Sequence, residues 1–183
     1  MKNDIVKNLI GIVLIATAAG IAYKLYKLSK QGTKENMKAP FVFGLLPYPI
    51  TSDVVSSPFG AVRPSGPHNG VDLKTKFDAA GKPDPRGTPD IGMTIFAPFP
   101  GIVADVYTNA RGGLQMILLA KDGTKLGLAH LLTAQVKKGE TFEAGDIVAG
   151  SGNSGPPNTP PHVHVTVRDP TGTSVDPLPY LGV

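Results

Sequence analysis

The chain contains no cysteine. That absence excludes a disulfide framework and any thiolate zinc site, so a bound metal must be held by histidine, aspartate or glutamate. Histidine itself is scarce, with 4 in 183 residues, which makes the position of each one informative. Positive charge is lacking where a nucleic-acid partner would need it. The formal net charge of +4 belongs to the N-terminal arm: residues 1–38 carry 7 lysines against Asp4 and Glu35, whereas residues 39–183 hold 11 basic and 12 acidic side chains. No nucleic-acid partner is therefore expected. Amphipathic helical periodicity is missing after the arm, as is any solenoid-type internal repeat.

What remains is a chain with enough apolar residues for a core, 41%, and many turn formers, 22 glycines and 18 prolines. That mixture points to short strands joined by turns, and the length suits one domain plus an appendage. A polar stretch over 27–44 ends past Pro40, and a folded domain is expected over 45–183. Within it, alternation predicts an extended segment from His68 to Leu73 and strands Met93–Ala97, Ile102–Tyr107, Leu114–Ala120, Lys125–Leu132, Ile147–Ala149 and Val163–Val167. Asp122-Gly123 marks a tight hairpin turn. Residues 74–90 are rich in proline and read as a surface loop. The fold class expected is mainly β, with antiparallel sheet.

The chemistry concentrates around Pro161-His162-Val163-His164-Val165. Side chains alternate along a strand, so the two histidines share one face while the valines point to a core. His68 stands four residues before Asp72, and His130 closes the apolar run Leu126-Gly127-Leu128-Ala129. His68, Asp72 and one of His162 and His164 make a two-histidine, one-carboxylate set. Three protein ligands and an open position are the pattern of catalytic zinc. The same set also suits non-haem iron, although that chemistry leaves two histidines without work. Hydrolysis uses them, because it needs a base and a donor to the developing oxyanion. Each residue also has a plain reading: a turn cap for His68 or Asp72, a core histidine for His130, a surface one for His162.

Over residues 51–181 the chain resembles the lysostaphin-type zinc endopeptidases, which cleave peptide cross-bridges of bacterial peptidoglycan. The landmarks are Ser57-Pro58-Phe59-Gly60 with Arg63, the His68/Asp72 pair, Thr94-Ile95-Phe96-Ala97-Pro98, Gly101-Ile102-Val103, Ala129-His130-Leu131, Gly145-Asp146, Gly152-Asn153-Ser154-Gly155, Pro161-His162-Val163-His164 and Asp176-Pro177. The resemblance implies an antiparallel fold of the duplicated-hybrid-motif type with a groove across one zinc ion. It further implies zinc ligands His68, Asp72 and His164, with His130 and His162 as the catalytic pair beside them. The chain departs from the pattern at Leu128, where an aromatic or hydroxyl residue is usual, and at Val165-Thr166, where Phe-Glu is usual. The alternative function on the same fold is a non-catalytic wall-binding or regulatory module.

Leu9 to Tyr23 form a run of 15 residues without charge, flanked by Lys7 and Lys24. We expect residues 1–26 to be an uncleaved membrane anchor, although the run is shorter than the usual span of about 20. A signal peptide cut near Ala16-Thr17-Ala18 is the alternative; against it, the apolar run continues through Ile21 and Ala22. Lys24, Lys27, Lys30, Lys34 and Lys38 on the C-terminal flank favour a cytoplasmic position for the domain. A wall-cutting enzyme made by a phage with an internal membrane would meet that bias, so a virion membrane stands beside the bacterial envelope as the expected location. The oligomeric state is not legible.

Overall fold

The computed structural model describes residues 44–47, 50–75 and 91–181, all within the compact unit Lys38–Val183. The anchor expected over 1–26, the linker over 27–44 except Gly44, and residues 76–90 of the expected loop lie outside the described residues. Among the described residues no helix is long and apolar enough to cross a membrane.

These residues build a 10-stranded sheet. In chain order the strands are β1 (Val55–Ser57), β2 (Val71–Lys74), β3 (Thr94–Phe96), β4 (Gly101–Asn109), β5 (Gly113–Ala120), β6 (Lys125–Ala134), β7 (Thr141–Phe142), β8 (Ile147–Ser151), β9 (His162–Arg168) and β10 (Ser174–Val175), followed by a 3-10 turn at Leu178–Tyr180. The main path runs β1-β2-β9-β6-β5-β4-β7, with β10 on β9, and β8 bridging β3 and β6. Every pairing is antiparallel, as the turn-rich composition predicts.

The central strands alternate. Val163, Val165 and Val167 of β9 are buried, as are Leu126 and Leu128 of β6, Met116 and Leu118 of β5, and Val71 and Leu73 of β2. Burying one such side chain stabilises by about 1.5–3 kcal/mol, so the core fixes which face each strand turns inward. The opposite face carries His162, His164 and Thr166. Asp122-Gly123 does form the β5–β6 turn: Gly123 adopts φ 94°, and Asp122 Oδ1 accepts from Thr124 N at 2.9 Å.

Two expectations change. The segment His68–Leu73 is not one strand, because β2 begins only at Val71 and His68 lies in the loop before it. Gly60 N donates to His68 O and His68 N donates to Ala61 O, so this loop pairs with the preceding turn instead of the sheet. The strands β1, β7 and β10 and the 3-10 turn were not expected; at two or three residues each they are too short to carry a period.

Candidate metal centre

Strand register brings the site together. In the β2–β9 pairing Asp72 stands directly opposite His164, and Lys74 opposite His162. Directly opposed side chains on one face lie within reach of one another, and His164 Nδ1 meets Asp72 Oδ1 at 2.7 Å. His68 arrives from the loop, its Nε2 at 3.1 Å from His164 Nδ1 and 3.3 Å from Asp72 Oδ1. Gly70 makes that approach possible. A Cβ there would overlap Val165 O and come within 2.9 Å of the His164 ring.

His130 reaches the site by a different device. Leu114 pairs with Leu131 and Met116 with Leu128, so Gln115 opposes two residues, Ala129 and His130. This is a β-bulge, and His130 takes the left-handed conformation at φ 61°. A non-glycine residue held there stores about 1–3 kcal/mol of strain, and such residues cluster at functional sites. The bulge turns the ring towards β9, where it lies 4.5 Å from the His162 ring and 6.3 Å from the His164 ring, centroid to centroid.

The second nitrogen of three rings is tied to a main-chain carbonyl. His68 Nδ1 donates to Pro58 O at 2.9 Å, His130 Nδ1 to Ser154 O at 2.8 Å, and His162 Nδ1 to Pro160 O at 2.7 Å. A carbonyl only accepts, so in all three rings Nδ1 carries a proton, and in the neutral ring Nε2 keeps its lone pair. His162 Nε2 lies 3.8 Å from Asp72 Oδ1. Burial pushes the His68 and His130 imidazoles below their ordinary value, although their carbonyl partners and Asp72 pull the other way. Burial works to raise the Asp72 carboxyl, but hydrogen bonds from His164 and Arg63 hold it well below the usual carboxylate range. Arg63 Nη2 donates to Asp72 Oδ2 at 2.6 Å and to Ser57 Oγ at 2.8 Å. Asp72 thus offers Oδ1 to the histidines and Oδ2 to a cation.

The donor set fits a metal ion. His68, Asp72 and His164 each offer one ligand atom, all within 4.8 Å of one another. Their separations of 2.7, 3.1 and 3.3 Å approach the roughly 3.3 Å between ligand atoms around a tetrahedral ion with bonds of about 2.0–2.1 Å. The tied Nδ1 of His68 and the Arg63-bound Oδ2 are the outer partners that orient such ligands. Two nitrogens and one oxygen make three donors, and the His162 and His130 rings stand beside them, His162 Nε2 at 3.8 Å from Asp72 Oδ1 and the His130 ring 6.3 Å from that of His164. The cluster opens into a groove of about 540 Å³ whose walls include Tyr107, Arg111, Gln115, Thr159 and Thr166.

All five residues singled out in the sequence, His68, Asp72, His130, His162 and His164, therefore meet in one place. Leu128, one of the positions of departure, is 1% exposed and sits in the core. The sequence reading did not assign roles to Arg63, Ser154 or the Pro58 and Pro160 carbonyls. Arg63 and Ser154 stand in the landmark segments already noted; the carbonyls leave no side-chain signal.

The model of Peptidase family M23 matches residues 66–177. The chain belongs to peptidase family M23. Among relatives, an uncharacterized metalloprotease of Haemophilus influenzae is 32% identical over 147 residues, 74% of this chain and 27% of that protein. This M23 chain spans about a quarter of the length of the first curated relatives it matches. The catalytic domain of the antimicrobial peptidase lysostaphin from Staphylococcus simulans superposes with a TM-score of 0.54 at 27% identity, over 69% of this chain and 88% of that one. A zinc containing peptidase from Vibrio cholerae superposes with a TM-score of 0.55 at 25% identity, over 74% of this chain and 39% of that one.

Proposed function

We propose that this M23 chain is a membrane-anchored zinc endopeptidase that hydrolyses peptide cross-links of bacterial peptidoglycan. The observation that carries the reading is the convergence of His68 Nε2, His164 Nδ1 and Asp72 Oδ1 beside the imidazoles of His130 and His162. A binding module would have no use for two further imidazoles held beside a metal set.

His68, Asp72 and His164 would hold the zinc. When bound, the ion lowers the pKa of a coordinated water to about 7 and polarises the scissile carbonyl. His162, with Nδ1 tied to Pro160 O, is placed to take a proton on Nε2. His130, with Nδ1 tied to Ser154 O, is placed to do the same or, once protonated, to donate to the oxyanion and the leaving amine. Burial disfavours the charged form of His130, which suits a group that accepts before it donates. The groove beside them takes an extended peptide. For location, the lysine-flanked apolar run over 1–26 supports anchoring in a phage virion membrane or a bacterial envelope, which protease shielding in virions and spheroplasts distinguishes.

The reading is tested by incubating the chain with purified sacculi and counting new amino groups, with and without a chelator. Release that stops on chelation and resumes with zinc is the expected result. Binding to sacculi without release, unaffected by chelator, is the outcome for a wall-binding module and would overturn the proposal.

A further inference from the structure

Two loops meet behind His130. Ser154, in the loop before β9, donates from Oγ to Leu131 O at 2.7 Å and accepts from Leu114 N at 2.9 Å. One hydroxyl thus ties the residue after the bulge to the start of β5. The carbonyl of the same residue accepts His130 Nδ1–H at 2.8 Å. From the other side, at the β4–β5 hairpin, Gly112 O accepts His130 N–H at 2.9 Å. The ring and the main chain of His130 are therefore each held by a different loop.

The seam between those loops has no room for side chains. At Gly113, φ 60°, a Cβ would overlap Ser154 Oγ and its carbonyl carbon. At Gly155, φ 118°, a Cβ would lie 3.1 Å from Gly113 N and 3.3 Å from His130 Nδ1. Glycine tolerates both the left-handed backbone and the close approach. Ser154 is not among the residues that wall the groove.

We infer that Ser154 is a positioning residue which, with Gly113 and Gly155, clasps His130 in its left-handed bulge and fixes its Nδ1–H tautomer. The strain at His130 persists only while its surroundings over-determine it. Without the hydroxyl, Leu131 O and Leu114 N lose their shared partner and the carbonyl that selects the tautomer is no longer held in place. Nε2 would then be protonated part of the time and unable to accept. The inference rests on the reading of His130 as a reacting base, and it goes further by naming what makes that residue competent.

The test uses the full zinc-loaded chain and Ser154→Ala. Turnover on a sacculus-derived peptide should fall about 10- to 100-fold in kcat, the usual cost of losing an orienting partner, with KM and zinc content unchanged. Nitrogen-15 NMR of the His130 ring should show the Nδ1–H tautomer in the wild type and a mixture in the variant. Ser154→Thr, which keeps the hydroxyl, should restore the wild-type signal. Val103→Ala, in the core of β4 away from the clasp, should lower Tm without moving kcat. Wild-type kcat and tautomer in Ser154→Ala would overturn the inference, as would a loss of kcat that Val103→Ala reproduces at equal Tm. If Ser154→Ala does not fold, the wild-type spectrum decides alone: an Nε2–H tautomer there overturns the clasp. Full activity of His130→Asn would remove the base reading instead, while the tautomer readout still judges the clasp.

Discussion

Asp72 is 8% exposed, and burial alone would favour its neutral form. Arg63 on Oδ2 keeps it ionised, which is the state a metal ligand requires; the His164 Nδ1 proton that Oδ1 accepts must leave before that nitrogen can hold an ion. Arg63→Ala should therefore weaken zinc binding about 10- to 100-fold, as losses of outer partners do, and competition with a chromophoric chelator measures it. An unchanged affinity would leave Arg63 as a surface ion pair of little worth. The histidines give a pH dependence of defined sign. His68 and His130 titrate below their ordinary value in the fold because burial disfavours the imidazolium. The unfolded chain then takes up protons near pH 6.5 that the folded chain refuses, so stability is lost as pH falls below about 6.5. Asp72 works in a separate window: its contribution is present above about pH 3.9 and is lost only as pH drops through its depressed folded value. The denaturation midpoint of metal-free protein should decline from about pH 8 to about pH 5; a midpoint that stays level or rises would show that these imidazoles are not buried neutral.

At the scale of elements, the bulge in β6 separates what the sequence made plain from what it hid. Alternation over His162–Val167 and the His-x-His pair put both imidazoles on one face, and the structure places them there. His130 was expected in an unbroken strand from Lys125 to Leu132. The buried leucines are 126, 128 and 131, so the buried parity slips by one between Leu128 and Leu131. The sequence does not show that slip, because Leu132 continues the even parity of Leu126 and Leu128 and only its 53% exposure reveals that Leu131 is the buried one. His68 was misplaced onto the strand because four-residue spacing suits a strand face as well as a loop and a strand start. The register of β2 against β9 was not legible, since it is set by pairing partners distant in sequence. Leu128 faces the core directly before the bulge, with Met116 opposite it. Leu128→Ala should cost about 2–5 kcal/mol, read as a lower midpoint in chemical denaturation. A loss under about 1 kcal/mol would mean that the bulge repacks.

For the whole molecule, the ten strands serve as a frame that delivers five side chains from four places: the loop before β2, β2 itself, the β6 bulge and β9. The family landmarks marked those places in order, which is why the site was readable while the shortest strands were not. The division of labour among the five residues is the central claim. Zinc content and release of amino groups from sacculi, measured on the same preparations of wild type and single variants, test it most directly. About one zinc per wild-type chain is expected. Asp72→Ala and His164→Ala should lose metal and turnover together, whereas His130→Ala and His162→Ala should keep the metal and lose about 100- to 1000-fold in turnover. Undiminished release by the metal-free variants, or by His130→Ala and His162→Ala, would contradict it.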